Sequence, residues 1–304
     1  MRNKIIQSLK LYSNNPKLLI LSIMSRTCNL WSDKTYLKIV YYLRFGRKLN
    51  LKTPKSYTEK LNWLKIHDIH PEYSKFVDKA TVKNFVAERL KSQDNIIKTI
   101  GVWNSFDEID FCALPEQFVL KTTNGGGNEG VVICTNKSNI DYSRARKKLR
   151  LVSSKIYKTS REYVYYNVTP RIIAEEFLKA PNNELSDYKF FCFDGEPKFL
   201  FVGSDRQVEG EDVKFDFFDT DFNYISIING HSQAKKRPER PKNFEEMLEI
   251  TRKLSAGFKH VRVDLYNVDG KIYFGELTFF HHAGFVPITP YEWDLKFGEF
   301  LNIN

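Results

Sequence analysis

The chain has 304 residues, of which 42% are hydrophobic and 28% charged, with 15 glycines and 11 prolines. This composition excludes a disordered, collagen-like or low-complexity protein, and the length predicts two lobes or one large α/β domain. An excess of 47 Lys and Arg over 37 Asp and Glu gives a net charge of +10, which favours anionic partners such as nucleic acid, an acidic membrane surface, nucleotides or acidic saccharides. The 4 cysteines are dispersed without a CxxC pair, so they predict neither a zinc site nor a disulfide framework and fit a reducing cytoplasm.

The first segment, residues 1–105, is predicted to be mainly helical because apolar residues recur in it at helical spacing. Its apolar run 18–24 is far shorter than the roughly twenty residues of a membrane span, so it is interpreted as a buried helix or a contact with a membrane surface. Ser56 precedes Glu59 by one helical turn, which is the signature of a capping box and predicts that a helix begins here.

The second segment, residues 106–180, combines short β-rich runs with one basic helix, and the third, residues 181–304, consists mostly of strands. The predicted strands are 117–120, 131–134, 171–177, 188–193, 198–202, 215–219, 261–266 and 272–277, and the predicted helices are 142–151 and 244–254. Asp-Gly pairs at 194–195 and 269–270 predict hairpin turns, since both residue types tolerate positive φ. Antiparallel strands with helices on one side indicate an α+β fold.

A glycine-rich loop joins the first two of these strands. Lys121 ends the first strand, and the loop that follows contains Gly125, Gly126, Gly127 and Gly130. Glycines have no Cβ and let backbone N–H groups turn towards an oxyanion, to which Lys121 would add a positive charge. The loop is not a Walker loop, because no Gly-Lys-Ser/Thr follows it and no helix begins there. The pattern predicts phosphate binding, and the alternative is a mobile hairpin tip.

Two acidic residues stand in the last predicted hairpin, Asp264 on one strand and Glu276 on the other. Side chains alternate along a strand, so these two carboxylates can point to the same face. Such an arrangement suits Mg²⁺, which is usually held by one or two carboxylates together with substrate phosphates. The alternative is a surface cross-strand position, although an unpaired carboxylate within an apolar run would be costly.

A third signal is an apolar strand that ends in Glu175 and Glu176 and continues into Phe177 and Leu178. It could be a simple strand end. It could also be a hinge whose backbone contacts the edge of an adenine while apolar side chains cover the faces of the ring.

The order and type of these pieces resemble the ATP-grasp superfamily, and more closely the TupA-like ATP-grasp group of teichuronopeptide biosynthesis, which is found with bacterial surface-polysaccharide genes. The resemblance runs from about residue 56 to about residue 285. It rests on the segments 56–61, 78–83, 118–130, 175–178, 187–190, 262–264 and 275–278. It implies that 106–180 is a small lobe with the glycine loop, that 181–304 is a large lobe with a metal-binding hairpin, and that the two grip the nucleotide beside the N-terminal region 1–105.

The resemblance also implies roles for single residues. Those expected to contact ATP are Lys83, Lys121, Asn124, Gly125, Gly126, Gly127, Glu175, Glu176, Phe177, Leu178 and Asp187, with both lysines on the phosphates and Asp187 on the ribose. Lys189 would contact the transferred phosphate. Asp264, Glu276 and Thr278 would hold Mg²⁺. Thr278 stands where the family at large has asparagine, and this departure weakens the expectation of a second metal ion.

Two further groups of residues are candidates for the acceptor site. Arg206 and Arg262 are expected to bind the acceptor carboxylate or the tetrahedral intermediate, because a planar guanidinium suits both. His281 and His282 follow the metal-binding strand and could line the acceptor site, or they could be ordinary packed or exposed histidines.

The activity that the resemblance implies is that of an ATP- and Mg²⁺-dependent carboxylate–amine ligase acting through an acylphosphate. The expected substrates are an amine or amino acid and an acidic saccharide, a uronic-acid sugar of capsule or another bacterial surface polysaccharide, with peripheral membrane association through a lipid-linked acceptor. The expected location is the cytoplasm or the inner face of the membrane. The alternatives are a glycosyltransferase or sugar kinase of the same pathway, and a nucleic-acid-binding module. No nucleic-acid partner is expected, because the aromatic residues stand in apolar strands rather than along a basic stripe.

Overall fold

The computed structural model describes residues 15–125, 130–151, 154–180, 185–204 and 213–303. The helices are α1 (Pro16–Arg26), α2 (Asp33–Phe45), α3 (Tyr57–His67), α4 (Ser74–Val77), α5 (Val82–Leu90), α6 (Tyr142–Lys148), α7 (Phe244–Ser255) and α8 (Tyr291–Phe300). The strands are β1 (Thr99–Trp103), β2 (Phe118–Thr122), β3 (Val131–Cys134), β4 (Ile172–Glu176), β5 (Asp187–Phe193), β6 (Glu196–Ser204), β7 (Lys214–Asp219), β8 (Tyr224–Ile225), β9 (His260–Val268) and β10 (Lys271–Thr278). Every predicted strand is present, whereas the basic helix ends at Lys148, short of its predicted end at residue 151.

The strands form two antiparallel sheets, which together with the helices confirm the α+β fold class. The small sheet has the order β1-β4-β2-β3 and the large sheet the order β10-β9-β5-β6-β7-β8. Strand β1 lies within the segment predicted to be mainly helical, yet it pairs with β4 of the small sheet. Both predicted Asp-Gly turns are confirmed, with φ of 49° and 83° at Asp194 and Gly195 and of 50° and 83° at Asp269 and Gly270.

Helices cover both faces of the large sheet. Phe190 of β5 packs against Phe244 of α7, with ring centroids 5.9 Å apart, and the next residue, Phe191, packs against Tyr57 of α3 at 6.1 Å. Neighbouring residues of a strand point to opposite faces, so the prediction of helices on one side is wrong. The sequence signal was the continuous apolar run 190–193 at the end of β5, since a strand covered on both faces does not alternate there.

Helix α3 attaches the N-terminal segment to the large sheet. The predicted capping box is confirmed, because Ser56 Oγ accepts from the Glu59 N–H and the Glu59 carboxylate accepts from the Ser56 N–H. The next residue, Tyr57, lies 3.0 Å from His260 Nε2, and His260 Nδ1 lies 2.9 Å from the carbonyl oxygen of Cys192. Because a carbonyl only accepts, Nδ1 carries the proton and the Tyr57 hydroxyl donates to Nε2.

Helix α1 differs from its prediction as a buried helix. Met24 is its one buried residue, whereas Leu19, Ile20 and Ile23 are 43%, 44% and 51% exposed. The apolar residues are spread around the helix, so packing against α2 covers only part of them. Within the described residues, no helix is both long and apolar enough to span a membrane.

The small sheet has its own core on one face and a charged face on the other. Phe118 and Leu120 of β2 are buried against Leu149, which follows α6. Lys121 alternates with them and points away from this core, towards Glu175 of β4 and towards Tyr266 and Glu276 of the large sheet. The two sheets therefore face each other across a charged cleft.

Candidate active site

Three adjacent strands of the large sheet carry a transverse row of charged residues. Lys189 of β5 is paired with Asp264 of β9, and Asp264 is paired with Glu276 of β10. Directly paired residues project from the same face, so the three side chains form one row, and the predicted common face of Asp264 and Glu276 is confirmed. The next pair, Arg262 and Thr278, extends the row on that face.

Arg262 is the hub of this row and is 7% exposed. It donates to both carboxylate oxygens of Asp264 at 2.7 Å, to Glu276 at 3.1 Å and to Thr278 Oγ1 at 3.0 Å. Burial alone would lower the pKa of Arg262, but Asp264 and Glu276 raise it above its usual range. The guanidinium is therefore charged and rigidly held.

His281 orients Arg262 from the other side. Arg262 Nη1 lies 2.7 Å from His281 Nδ1, and His281 Nε2 lies 2.7 Å from Asn229 Oδ1. An arginine can only donate, so Nδ1 accepts and the proton is on Nε2, which donates to Asn229. Burial and the neighbouring His282 and Arg262 hold the pKa of His281 well below its usual range, so this ring is neutral.

The two acids of the hairpin have different environments. The side chain of Asp264 is 1% exposed, and burial raises its pKa to about 6 although Arg262 and Lys189 oppose the shift. The side chain of Glu276 is 28% exposed; burial acts in the same direction there, but Lys79, Lys189 and Arg262 outweigh it and lower the pKa to about 2. At neutral pH both carboxylates are therefore ionised, and Glu276 is the accessible one.

The donor set suits Mg²⁺ in type, because two carboxylates and a hydroxyl are hard oxygen ligands. Glu276 and Thr278 line the cavity and can contribute directly. Both oxygens of Asp264 are engaged by Arg262, and Lys189 Nζ also contacts one of them, so Asp264 can join only if one of these cations moves. The described residues contain no cluster of three or more His, Cys, Asp and Glu that could hold a metal ion without other donors.

The two lysines predicted to contact phosphates converge on a single carboxylate. Lys83 Nζ and Lys121 Nζ lie 2.5 Å and 2.6 Å from different oxygens of Glu175. Burial alone would raise the pKa of Glu175, but the two lysines outweigh it and lower the pKa. Three predicted nucleotide residues are thus brought together on the charged face of the small sheet.

The other predicted nucleotide residues are arranged differently. Glu176 is exposed at the end of β4, and the partly exposed Phe177 and Leu178 follow it. Asp187 is 1% exposed, and its carboxylate lies 2.8 Å from Lys189 Nζ, so the structure places it with the charged row of the large sheet rather than with Glu175.

The base of the glycine loop is held from two sides. Lys79 Nζ donates to the carbonyl of Gly125 and lies 3.8 Å from Glu276 Oε2, so it connects the loop to the charged row. On the other side, the Tyr157 hydroxyl donates to the carbonyl of Asn124. Gly126, Gly127 and Arg206, which the sequence also predicts as site residues, lie outside the described residues.

A cavity of about 370 Å³ lies above the charged row. Its walls contain the predicted residues Lys189, Arg262, Glu276, Thr278, His281 and His282. His282 Nε2 is buried without a hydrogen-bond partner among the described residues, and burial, with the nearby Arg262, lowers the pKa of His282 to about 4. The ring is therefore neutral at the wall of the cavity.

Sequence reasoning missed several residues of this site. Lys79 stands one helical turn before Lys83 in the same motif, and that spacing could have indicated it. Tyr157, Glu162, Tyr165 and His231 also line the cavity, but they come from segments without a recognisable pattern. Only the folded chain brings them to the charged row.

Comparison with known families gives one match that covers most of the chain. A family model described as "TupA-like ATPgrasp" matches residues 59–302. A comparison with curated proteins found no match.

Solved structures of several ligases and synthetases are also similar, at low identity. An ADP complex of purK, N5-carboxyaminoimidazole ribonucleotide synthetase, is 16% identical over 82% of this chain and 57% of its own, with a TM-score of 0.42. D-alanine–D-alanine ligase from Bacillus anthracis is 18% identical over 66% of this chain and 56% of its own, with a TM-score of 0.34. L-amino acid ligase from Bacillus licheniformis is 13% identical over 84% of this chain and 57% of its own, with a TM-score of 0.42. The chain spans just over half the length of each of these proteins, and similarity at these scores carries no argument about activity.

Proposed function

The chain belongs to the TupA-like ATP-grasp family, and from this membership we propose that it is an ATP- and Mg²⁺-dependent carboxylate–amine ligase. The observation that supports this proposal best is the transverse row of Lys189, Asp264 and Glu276 with Arg262 at its centre. It lies opposite Lys121 of the small sheet and Lys83 of α5. Such a cleft offers cations for phosphate and carboxylate groups and oxygen ligands for a metal ion.

In the first half of the proposed reaction, an oxygen of the acceptor carboxylate attacks the γ-phosphorus of ATP. The bond between this phosphorus and the β–γ bridging oxygen breaks, ADP leaves and an acylphosphate forms. Lys83 and Lys121 would exchange their contacts with Glu175 for contacts with the phosphates, and the glycine loop would cover them. Glu276 and Thr278 would hold Mg²⁺, which when bound neutralises part of the phosphate charge.

In the second half, the amine nitrogen attacks the acyl carbon and phosphate leaves with the bonding electrons, so that an amide is formed. Arg262, which is held in place by Asp264 and His281, would bind first the carboxylate and then the negative charge of the tetrahedral intermediate. The proton released by the amine passes to the departing phosphate or to solvent. The described residues of the cavity wall include no serine or cysteine, in keeping with a mechanism without a covalent enzyme intermediate.

The proposed acceptor is a uronic-acid sugar of a bacterial surface polysaccharide, and the proposed nucleophile that forms the amide with it is an amine or amino acid. The net charge of +10 supports an acidic acceptor. Synthesis on a lipid carrier would place the enzyme at the inner face of the membrane.

The first test is thermal unfolding with Mg²⁺ and a non-hydrolysable ATP analogue. A ligand that binds only the folded state adds roughly 2.7 kcal/mol to the free energy of unfolding when its concentration is about 100 times its dissociation constant. Wild type and Lys98→Ala, a control at an exposed residue before β1, should show this stabilisation, and Lys121→Ala should lose it. Stabilisation by UDP-glucuronate alone would contradict the ligase and favour a glycosyltransferase.

The second test is the release of phosphate. A ligase releases phosphate from ATP only when both a uronic acid and an amine are present, whereas a sugar kinase transfers it with the sugar alone. Phosphorylated sugar in the absence of amine would contradict the proposed reaction.

A further inference from the structure

A second and larger cavity, the basic cleft, lies on the other side of β2. It measures about 1020 Å³ and is lined in part by Thr122, Asn124 and Gly125 of the glycine-loop region. Thr122 and Lys121 are neighbours on a strand and point to opposite faces, so the basic cleft lies on the face opposite Lys121 and Glu175. Of the proposed nucleotide residues, Asn124 and Gly125 reach the basic cleft, whereas Lys83, Lys121 and Glu175 are not part of its lining.

Four cations line the basic cleft. Arg144, Lys147 and Lys148 share one face of α6, and Arg150 follows just beyond the helix. All four are exposed, and among the described residues none of them forms an ion pair. Arg146, on another side of the same helix, is paired with Asp107.

This arrangement is unfavourable without a bound anion. Like charges at spacings of three and four residues on a helix repel each other by a few tenths of a kcal/mol per pair. The cations lie side by side around a concave space, where their fields add. A ligand with several negative charges would relieve the repulsion.

The basic cleft is adjacent to the cavity above the charged row. Tyr157 and Glu162 line both cavities, so a ligand that extends past them reaches Arg262 and Glu276. Typical ligand pockets measure about 300–1,000 Å³. The cavity above the charged row falls within this range by itself, so the basic cleft is additional space beyond the reacting groups.

We propose that the basic cleft binds the oligoanionic part of the acceptor, a chain with several carboxylate or phosphate groups. These groups would lie along Arg144, Lys147, Lys148 and Arg150 while the reacting carboxylate enters the cavity at Arg262. The inference rests on the proposed ligase function and adds a substrate class to it: the enzyme acts on an extended or carrier-linked acceptor and binds the free monosaccharide weakly.

The test is direct binding of defined probes, measured by calorimetry at physiological salt. The probes are galacturonic acid, its linear hexamer, a short polyprenyl diphosphate in neutral detergent micelles, and a single-stranded oligonucleotide. The variant is Lys147→Glu/Lys148→Glu. The control is Lys235→Glu/Lys236→Glu, which makes the same change of charge at an exposed lysine pair between β8 and α7.

Wild type should bind the hexamer at least about tenfold more tightly than the monomer, and the variant at Lys147 and Lys148 should lose about tenfold or more of this affinity, since two favourable charge contacts become repulsive. The control should change little. If the polyprenyl diphosphate shows the same dependence and binds more tightly than the hexamer, the basic cleft takes the diphosphate of a lipid carrier, which is the second source of the same chemistry.

Three results would overturn the proposal. The first is an equal loss of hexamer affinity in the variant and in the control, and the second is equal affinity for hexamer and monomer when the polyprenyl diphosphate also fails to bind. The third is that the oligonucleotide binds more tightly than the acidic probes and depends on the same lysines. The ATP analogue separates the two hypotheses. If it stabilises the variant as it does wild type while the acidic probes fail to bind, only the basic cleft is refuted. If the hexamer binds and no nucleotide does, the proposed ligase fails instead.

Discussion

At the scale of single residues, Arg262 shows how the site is held together. Its guanidinium is almost completely buried, yet hydrogen bonds from it reach Asp264, Glu276, Thr278 and His281. Burying a charge is costly unless a partner of opposite charge compensates it. Removing one partner of a buried pair therefore leaves the other charge buried without compensation for its desolvation. Arg262 is therefore expected to serve stability as well as function.

Replacing Arg262 with methionine should lower the free energy of unfolding by about 3–5 kcal/mol, because Asp264 then keeps only Lys189 as a charged partner. The control is Arg252→Met on the exposed side of α7, where the ion pair with Glu196 at 3.1 Å is worth at most about 1 kcal/mol. Urea unfolding at pH 7 measures both. Equal effects of the two substitutions would contradict the structural role of Arg262.

Lys79 is the second residue at this scale, and its expected role concerns the nucleotide. Because it connects the carbonyl of Gly125 with Glu276, Lys79→Met should weaken binding of the Mg²⁺–ATP analogue by about tenfold, or ~1.4 kcal/mol. Lys75→Met, at an exposed position of α4, is the matched control. Titration calorimetry compares the two variants, and unchanged affinity in Lys79→Met would show that this contact only supports the loop.

At the scale of elements, α3 is part of the large sheet's core, whereas the buried residues of α1 and α2 form two separate small clusters. Tyr57 and Leu61 of α3 are buried in the same cluster as Phe191 of β5 and Phe297 of α8. Phe297 stacks on Phe199 of β6 with ring centroids 3.6 Å apart. Helices α3 and α8 thus pack on one face of the sheet, and the Tyr57–His260 hydrogen bond lies beneath them.

His260 should make stability depend on pH. Burial, assisted by Arg262 and opposed by the hydrogen bond to Cys192, lowers the pKa of His260 from 6.5 to about 4. Between these values the unfolded chain binds more protons than the folded chain, so the free energy of unfolding decreases as the pH falls from 6.5 towards 4, by up to about 3 kcal/mol. The stabilisation is fully present above pH 6.5.

Urea unfolding between pH 4 and 7 tests this expectation. His260→Gln should reduce the pH dependence in this window, and His281 and His282, whose pKa values burial also lowers, should keep the rest of it. His67→Gln, at an exposed position of α3, should leave the dependence as in wild type. An unchanged slope in His260→Gln would assign the acid sensitivity to other groups.

At the scale of the whole molecule, the described chain has a hydrophobic core at each of its two sheets, of unequal size, besides two small clusters around α1 and α2. The larger one surrounds β5, β6 and β9 and includes residues from α3, α5, α7 and α8. The smaller one lies under β2 and β4 and includes Phe118, Leu120, Leu149 and Ile172. A lobe with less buried apolar surface opens at a lower cost in free energy, so the small sheet is expected to be the less stable part.

Hydrogen exchange should show this difference. Amides of β2, β3 and β4 are expected to exchange faster than those of β5, β6 and β9, and Mg²⁺ with the ATP analogue should slow exchange in β2 and β3 far more than in β6. In Lys121→Ala the ligand should have no such effect, which links protection to binding. Equal protection of the two sheets without ligand would contradict the division into two cores.

The sequence by itself determined the local features of this protein and its family. Strand runs, the two Asp-Gly turns and the capping box at Ser56 depend on neighbouring residues, so composition and spacing were enough to predict them. The order of short motifs indicated the TupA-like ATP-grasp group, which the family match over residues 59–302 confirms. The common face of Asp264 and Glu276 followed from alternation in a hairpin that is local in sequence.

Only the tertiary structure decided how distant segments meet. No local signal predicts the pairing of Lys189 with Asp264 across more than 70 residues or the convergence of Lys83 and Lys121 on Glu175. The same is true of the position of Tyr157 and Glu162, which line both cavities. The same holds for helices on both faces of the large sheet and for the exposed face of α1. The physical reason is that burial and charge pairing depend on the whole packed molecule: periodicity shows which side of an element is apolar, but not what covers it.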